Sequence, residues 1–549
     1  MTESDTTFNA SSASPEAASR AWWQRAVVYQ IYPRSFQDSN HDGVGDLPGM
    51  VRRLDYLQWL GVEALWISPV YPSPMADFGY DITDYTDIHP LFGTLQDFDR
   101  LVEEAHRRQL KVILDYVPNH TSHEHPWFQQ SRTSRTHPKR DWYLWKDADN
   151  GPPTNWVSNF GGPAWTFDDV AGQYYYHAYL PEQPDLNWRH PEVQQAMLDV
   201  LRFWLDRGVD GFRVDALRQL VKDDQWRDNP PAKSDQKSQN PYDAWRPVYT
   251  TDRPEVMGLV TRMRRILDEY YQRTGRERVL IGELYLPIER LVAYYGAQGE
   301  GCHLPFNFHL LSTPWEAAHL AGLIRRYEEA LPPGGWPNWV LGNHDQHRLA
   351  TRLGEAQTRV AALLLLTLRG TPTLYYGDEI GMADVPIPKE AVQDPWEKRV
   401  PGQGLGRDPE RTPMQWEATR GAGFSTVAPW LPLSAACEQQ NVETQQKTPG
   451  SLLLLYRALL QLRRSEPALS QADYDWITSE GEVLAYQRTA EDRTLVIVLN
   501  LSHQRVASPV KVFGKVLIST DPLRQGMPVP ENMMLEAHEG VIILKGTTR

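Results

Sequence analysis

Eight short runs rich in β-branched and aromatic residues recur from Val27 onward, and most are separated by amphipathic helical patterns. The runs cover residues 27–32, 62–67, 111–117, 209–214, 279–282, 303–308, 339–342 and 371–376. Between the first two, apolar residues of the segment 48–60 recur at helical spacing, and Gly61 ends the pattern. Strands that alternate with helices form a parallel sheet with crossover helices, and eight such units close into a barrel. The sequence therefore predicts an α/β fold, a (β/α)8 TIM barrel.

Two segments depart from this alternation. Residues 119–187 follow the third run, are rich in aromatic residues, Pro, Asn and Gly, and have no clean helical pattern, which predicts a small inserted domain. After Ala468, β-branched runs separated by turn residues predict a C-terminal antiparallel β domain. The predicted boundaries are a barrel at 21–118 and 188–467, an inserted domain at 119–187 and a β domain at 468–549. Residues 1–20 lack the pattern of a signal peptide and are predicted to be a disordered tail.

Charge and cysteine content narrow the class of partner. The net charge of −14 argues against nucleic acid or an anionic membrane as the main partner. No apolar run has membrane-spanning length. The only cysteines are Cys302 and Cys437, which favours a reducing compartment and predicts a cytoplasmic protein. The 20 Trp and 25 Tyr residues suggest a surface that stacks on flat apolar faces such as sugar rings. The sequence leaves monomer and homodimer open.

Carboxylates follow several of the predicted strands. Active sites of such barrels lie at the carboxyl ends of the strands. Asp215, Glu283 and Asp345 follow the fourth, fifth and seventh strands, and the residues that flank them are Arg213, His120 and His344. Because several carboxylates in one barrel mouth are costly to bury without a functional reason, these residues are predicted to form an active site.

Two carboxylates in an aromatic cleft are typical of glycoside hydrolysis, in which one attacks the sugar and the other protonates the leaving oxygen. Arg213 and Asp215 are two residues apart on a strand and point to the same side, so Arg213 should favour the ionised Asp215. Glu283 follows the apolar run 279–281 and has no cation beside it in the sequence. This pattern predicts a raised pKa and a proton-donor role for Glu283.

Six sequence motifs follow one another along the chain. They are DYVPNH at 115–120, QPDLNW at 183–188, GFRVDA at 211–216, IGEL at 281–284, GNHD at 342–345 and GTPTLYYGDEIG at 370–381. With them the chain resembles the α-amylase superfamily, glycoside hydrolase family thirteen, from about Trp22 to its end. More narrowly, it resembles the α-glucosidase and oligo-1,6-glucosidase branch. The resemblance implies cleavage with retention of the α configuration, through a covalent glucosyl-enzyme.

The resemblance also implies roles for individual residues. Asp215 would be the nucleophile, Glu283 the general acid/base and Asp345 the group that stabilises the transition state. Arg213 would orient Asp215, and Asp77 would pair with Arg411 to close the non-reducing end, as in an exo-acting enzyme. The remaining residues implied to bind the first glucose or to lie beside it are Tyr80, His120, Gln183 and His344.

Three residues bear on linkage and acceptor. Ala216 follows the nucleophile, where the resemblance associates Ala with α-1,4 cleavage and Val with α-1,6 cleavage. Tyr179 stands where relatives usually carry Phe, and its hydroxyl makes transfer of glucose to an acceptor hydroxyl plausible. Phe160 would form the other aromatic wall. The polar insert 222–253 would cap the pocket, so short substrates such as maltose are predicted.

Residues 38–46 read D-x-N-x-D-G-x-G-D, the opening of a calcium-binding loop. It is not an EF-hand, because Gly49 occupies position twelve. The resemblance implies a structural metal here, and oxygen ligands suit Ca²⁺, with Mg²⁺ as the alternative. The implied ligands are Asp38, Asn40, Asp42, Asp46 and the carbonyl of Val44.

Other functions stay open at this point. Within the same superfamily the alternatives are an isomaltase, a sucrose- or trehalose-acting enzyme, and an endo-acting amylase. A non-catalytic, transporter-associated relative is disfavoured because the chain has no membrane helix and has all three carboxylates.

Overall fold

The computed structural model describes residues 20–232 and 244–546, so all but the last residue of the predicted N-terminal tail lies outside the described residues. The strands are β1 Val28–Ile31, β2 Ala64–Ile67, β3 Lys111–Tyr116, β4 Trp145–Lys146, β5 Trp165–Asp168, β6 Gln173–Tyr176, β7 Gly211–Val214, β8 Val279–Gly282, β9 Leu304–Pro305, β10 Asn338–Val340, β11 Thr371–Tyr375, β12 Tyr474–Glu480, β13 Val483–Ala490, β14 Arg493–Asn500, β15 Val506–Ala507, β16 Gly514–Ser519, β17 Met534–Leu535 and β18 Gly540–Lys545.

Helices separate most of the barrel strands, as the sequence predicts, and the segment 119–187 contains one short helix that was not predicted. The helices are α1 Trp22–Arg25, α2 Leu47–Leu60, α3 Leu95–Arg107, α4 Pro126–Ser131, α5 Pro191–Asp206, α6 Val256–Thr274, α7 Ile288–Leu291, α8 His309–Ser312, α9 Ala317–Ala330, α10 Leu349–Leu353, α11 Glu355–Thr367, α12 Pro395–Arg399, α13 Val442–Lys447, α14 Leu452–Ser465 and α15 Pro467–Ser470. None of the described helices is long and apolar enough to cross a membrane.

Eight strands form one parallel sheet in the order β10-β11-β1-β2-β3-β7-β8-β9, which confirms the predicted barrel. Its two edge strands are joined by the buried side chain of Asn338. The Asn338 amide donates to the carbonyl of Pro305 at 2.5 Å, and its Oδ1 accepts from the backbone N–H of Asn307 at 2.9 Å. A side chain thus completes the ring of hydrogen bonds between β9 and β10.

Successive residues of each barrel strand enter two different cores, as the two-residue period of a strand requires. Val28, Trp66 and Ile113 belong to one apolar cluster inside the barrel. Their neighbours Tyr29 and Leu65 belong to the large cluster between the barrel and its helices. Because both faces are covered, the strands read as continuous apolar runs, which is typical of parallel sheets.

The ends of α2 show how local sequence sets the element boundaries. Asp46 is its N-cap, and its carboxylate accepts from the N–H of Gly49 at 2.6 Å. The helix ends at Gly61, whose φ of +105° is easily reached only without a Cβ. Between β8 and β9 the chain forms only the short helix α7 and a 3-10 turn, Val292–Tyr295.

Two smaller sheets accompany the barrel. Within 119–187, β4, β6 and β5 form an antiparallel sheet with a core that includes Trp156 and Trp165. Near the C-terminus, β12, β13, β14, β18 and β16 form a five-stranded antiparallel sheet, the predicted C-terminal β domain. Tyr486 and Ile497 on this sheet belong to the same core cluster as the barrel helices.

Candidate active site

The carboxyl ends of the barrel strands open into a cavity of about 450 Å³. Ten of the thirteen predicted catalytic and substrate-binding residues line it, namely Asp77, Tyr80, His120, Phe160, Tyr179, Asp215, Ala216, Glu283, His344 and Asp345. The other three, Gln183, Arg213 and Arg411, are buried behind the lining. Lining residues that the sequence analysis did not single out are Asn159, Arg218, Trp245, Pro247, Tyr285, Gln346, Trp396 and Arg407.

One guanidinium holds three carboxylates at the floor of the cavity. Arg213 Nη1 lies 2.7 Å from Asp215 Oδ1 and 2.8 Å from Asp115 Oδ1. Its Nη2 lies 3.0 Å from Glu283 Oε2. The arginine side chain is only 1% exposed, so these carboxylates are its main compensation for lost solvent.

The contact between Arg213 and Glu283 corrects one expectation from the sequence. Glu283 does have a cation beside it, because β7 and β8 are neighbours and place Arg213 opposite Ile281, two residues before Glu283. Burial, and after it the Glu283 carboxylate, raises the pKa of Asp215 well above its ordinary value, while Arg213 opposes this shift. Burial and the neighbouring carboxylate thus favour the protonated form of Asp215, and Arg213 favours its ionised form.

Ala216 links the two carboxyl groups through its backbone. Its N–H donates to Glu283 Oε2 at 2.8 Å. Its φ of +47° and ψ of +31° lie in the left-handed region, which residues other than glycine seldom adopt. Such a strained conformation persists only where the surrounding structure fixes it. Here the conformation directs the Ala216 N–H toward the Glu283 carboxylate.

Tyr80 and His344 form a stacked pair in the cavity wall. Their rings are 5.5 Å apart and within 3° of parallel. The Tyr80 hydroxyl donates to Asp115 Oδ2 at 2.9 Å and lies 2.7 Å from His344 Nε2. Burial keeps the pKa of His344 well below its ordinary value and lowers the pKa of His120 to about 4. Both histidines are therefore neutral hydrogen-bonding groups near pH 7.

Asp345 is held ionised by arginines. Arg411 Nη2 lies 2.8 Å from Asp345 Oδ1, and Arg407 Nη1 lies 3.2 Å from the same oxygen. Burial alone would raise the pKa of Asp345, but His344, Arg407 and Arg411 together bring it below its ordinary range. Because His344 is itself neutral near pH 7, the lowered pKa of Asp345 is due mainly to the two arginines.

The predicted pairing of Asp77 with Arg411 is wrong, because Arg407 takes that place. Arg407 Nη2 lies 2.7 Å from Asp77 Oδ1, whereas Arg411 Nε donates to the carbonyl of His344 at 2.7 Å. Arg407 is itself fixed by Asp394, whose Oδ2 accepts from its Nε at 2.7 Å and from its backbone N–H at 2.8 Å. Sequence motifs gave no signal for Arg407, which lies in the irregular stretch between β11 and α13.

Aromatic side chains line one side of the cavity. Phe160 contacts Tyr179 and Trp396 with ring centroids 5.5 and 5.2 Å apart, and the Arg407 guanidinium lies 4.8 Å from its ring. Gln183 supports this side from behind, with its amide 3.2 Å from both Asp77 Oδ2 and His120 Nε2. The insert predicted to cap the pocket contributes Trp245 and Pro247, while its residues 233–243 lie outside the described part of the chain.

The predicted metal loop is closed by its own carboxylates. Asp38 accepts hydrogen bonds from the backbone of Asn40, His41 and Gly43 and from Ser425 Oγ. Asp42 is exposed, its Oδ1 accepts from the Val44 N–H, and the oxygens of Asp38, Asp42 and Asp46 are not all within 4.8 Å of one another.

The donor set of this loop nevertheless fits a hard cation. It consists of oxygens only. Its three acidic side chains, Asp38, Asp42 and Asp46, accept hydrogen bonds from uncharged groups, including backbone N–H groups and the Ser39 hydroxyl.

A barrel with these carboxylates at the ends of its strands is the architecture of a glycosidase catalytic domain. The chain belongs to the α-amylase family, because the model of the α-amylase catalytic domain matches residues 30–472. It is an enzyme of the glycoside hydrolase class.

Named relatives extend over most of the chain. It is 41% identical to an α-glucosidase of Apis mellifera over 503 residues, which are 89% of this chain and 87% of the relative. It is 42% identical to maltase A2 of Drosophila melanogaster over 470 residues, 82% of this chain and 80% of the relative. Among solved structures, that of an α-glucosyl transfer enzyme is similar with a TM-score of 0.89 and 40% identity, covering 96% of this chain and 100% of that one.

Asp394 offers a test of how the cavity wall is held. Its buried carboxylate binds Arg407 and also accepts from the N–H of Trp396 at 2.6 Å. We expect Asp394→Ala to lower the free energy of unfolding by about 3 kcal/mol, since the buried Arg407 loses one of its three carboxylate partners. Asp473→Ala removes an exposed carboxylate from Arg369 and should cost less than about 1 kcal/mol. Thermal unfolding of the two variants measures the difference.

The same variant has a defined pH dependence. Burial alone would raise the pKa of Asp394, but Arg407 and Arg411 bring it below its ordinary value. A depressed carboxyl pKa contributes stability that is present above the unfolded-state pKa of about 3.9 and is lost as the pH falls through the folded-state value. The gap between wild type and Asp394→Ala should thus be full at pH 7 and shrink below about pH 4; a gap that widens there contradicts this account.

Proposed function

We propose that the protein is a retaining, exo-acting α-glucosidase that releases α-glucose from the non-reducing end of short α-1,4-linked oligosaccharides such as maltose. The observation that carries this proposal is the single guanidinium of Arg213 joined to both Asp215 and Glu283 at the cavity floor. The names of the α-glucosidase and maltase relatives support the same activity.

In the proposed reaction Asp215 attacks the anomeric carbon as the glycosidic bond breaks, and Glu283 gives its proton to the departing oxygen. Water then enters, Glu283 takes a proton from it, and the glucosyl–Asp215 bond breaks with the α configuration restored. Ionised Asp345 stabilises the positive charge that develops on the sugar. Neutral His120 and His344 offer hydrogen bonds to its hydroxyls without adding a positive charge.

Exo action is inferred from the closed side of the cavity. In the proposed binding mode the Asp77–Arg407 pair, backed by Asp394, would close the cavity beyond the first glucose. Trp245 and Pro247, from the insert, also line the cavity, and we infer that the proposed substrates are short. Arg407 takes the place that the resemblance had implied for Arg411.

Glucosyl transfer to an acceptor hydroxyl is a second proposed activity. The structural similarity to an α-glucosyl transfer enzyme favours it. Tyr179 lines the cavity beside Phe160 and His120, and we assign its hydroxyl the role of binding an incoming alcohol. The same glucosyl–Asp215 intermediate serves both outcomes, which differ only in whether water or the acceptor attacks it.

Product analysis tests both activities in one experiment. With maltose alone we expect α-glucose as the first-formed anomer by NMR, and with maltose plus a simple alcohol we expect the α-glucoside of that alcohol as well. β-Glucose as the first anomer would refute retention, and rapid loss of starch viscosity would refute exo action. Asp215→Asn should reduce turnover by at least about 10³-fold, since the nucleophile is lost. The surface variant Asp199→Asn is the matched control and should leave turnover unchanged.

The linkage preference is assigned to Ala216. We expect Ala216→Val to raise the ratio of kcat/KM for isomaltose to that for maltose by about tenfold, because two methyl groups reshape the acceptor side of the cavity. A β-branched residue at φ +47° should also cost about 1–2 kcal/mol of stability. Ala216→Gly relieves this strain without adding volume, so it should keep the wild-type ratio. A wild type that cleaves isomaltose faster than maltose would instead favour the isomaltase alternative.

We propose further that the loop 38–46 binds a structural Ca²⁺, with Mg²⁺ as the alternative, through side-chain oxygens of Asp38, Asn40, Asp42 and Asp46 and the carbonyl of Val44. The ion would neutralise a loop that precedes α2, away from the carboxylates of the reaction.

Chelation tests this site. Removing divalent ions should lower the melting temperature, and Ca²⁺ at about 100 times its Kd should restore about 2.7 kcal/mol. Asp42→Ala should lose most of this response, whereas Asp87→Asn, on an exposed turn, should keep it. Equal melting temperatures with and without Ca²⁺ and Mg²⁺ would refute the proposal.

The proposed location is the cytoplasm, supported by two cysteines that are both free. The proposed assembly is a monomer or homodimer, which sedimentation would distinguish.

A further inference from the structure

Three side chains outside the catalytic cavity gather around one point. His347, Asp384 and Glu410 each offer one ligand atom, and these atoms all lie within 4.8 Å of one another. His347 Nδ1 is 2.7 Å from Asp384 Oδ2 and 4.0 Å from Glu410 Oε2. None of the three residues lines the cavity around Asp215.

Glu410 gives a second, independent observation that points to a ligand at this cluster. Its side chain is only 3% exposed, yet Oε2 makes no hydrogen bond within the described part of the chain. A buried carboxylate oxygen without a partner costs free energy, and such atoms are rare unless a water or an ion completes their surroundings. The unpartnered oxygen lies on the side of Glu410 that faces His347.

From this geometry we propose that His347 Nδ1, Asp384 Oδ2 and Glu410 Oε2 form a binding site for a borderline divalent metal ion such as Zn²⁺. One imidazole nitrogen and two carboxylate oxygens are the ligand types that Zn²⁺ takes, and three protein ligands leave a fourth position for water. A harder cation such as Ca²⁺ would not favour the nitrogen.

The distances between the ligand atoms match those around a tetrahedral Zn²⁺ after small side-chain movements. Ligands about 2.0–2.1 Å from a tetrahedral Zn²⁺ stand roughly 3.3 Å from one another. The two measured separations from His347 Nδ1, 2.7 and 4.0 Å, lie on either side of that value. Each has to change by less than about 1 Å.

The second coordination layer and the entry path are also present. Asp384 Oδ1 accepts from the backbone N–H of Arg348 at 2.8 Å, which fixes the carboxylate while Oδ2 points to the cluster. His347 is 53% exposed, so an ion can enter from solvent. Partners that orient ligands in this way are typical of metal sites.

The experiment uses the full chain, freed of metals with a chelator, exchanged into buffer with saturating Ca²⁺ and titrated with Zn²⁺ by calorimetry. Saturating Ca²⁺ occupies any site of oxygen ligands, including the loop 38–46. We expect one Zn²⁺ per chain, with affinity reduced at least about 10–100-fold by His347→Asn and by Glu410→Gln. Anomalous scattering at the zinc edge should place the ion between the three side chains.

Matched control variants distinguish this site from nonspecific Zn²⁺ binding to other side chains. His319→Asn removes an exposed histidine that lies 3.0 Å from Glu316 without a third ligand, and Cys437→Ser removes the less buried thiol. Both should bind Zn²⁺ like wild type. No Zn²⁺ binding by wild type, or unchanged affinity in His347→Asn, overturns the proposal. Because His347 is exposed, this outcome does not depend on whether Glu410→Gln folds.

Discussion

The buried guanidinium of Arg213 is the constraint on which the rest of the active site depends. Burial of a cation costs too much free energy unless carboxylates surround it. Burial of several carboxylates likewise requires a cation between them. The barrel register supplies both, since β3 and β7 place Asp115 directly opposite Arg213 and β8 brings Glu283 to the other side. Removing one member therefore leaves the others uncompensated, so the fold and the catalytic geometry are fixed by the same contacts.

The charge around the cavity remains unbalanced after all pairings. Six carboxyl groups face three buried arginines, Arg213, Arg407 and Arg411. Asp77, Asp115, Asp215 and Asp394 are buried, and Glu283 and Asp345 are partly exposed. Burial raises the pKa of Asp115 to about 6, so this carboxyl is still mostly ionised at pH 7. The excess that remains is negative, and a sugar that becomes positive in the transition state is stabilised by it. A neutral His120 and His344 preserve this bias, whereas two imidazolium groups would cancel it.

Sequence reasoning located what strand order alone determines. Asp215, Glu283 and Asp345 had to meet because the carboxyl ends of parallel strands share one end of a barrel. It failed where contacts join residues distant along the chain. The cation beside Glu283 is Arg213 on the neighbouring strand, which adjacency in sequence does not reveal. Arg407 was missed because it lies in an irregular segment whose path is set by tertiary contacts, while Arg411 was identified but given the wrong carboxylate.

The segment from Asp394 to Arg411 explains why the inserted domain and the barrel act as one site. Arg399 Nη2 donates to the carbonyl of Gly161 at 3.1 Å, and Trp396 contacts Phe160, so the segment is attached to the inserted domain. Through Arg407 the same segment reaches Asp77 and Asp345 on the barrel. The aromatic wall formed by Phe160 and Trp396 and the charged wall formed by Asp77 and Arg407 are thus parts of one connected structure. We therefore expect a change at one wall to alter the other, which in the proposed reaction couples the choice of acceptor to binding of the first glucose.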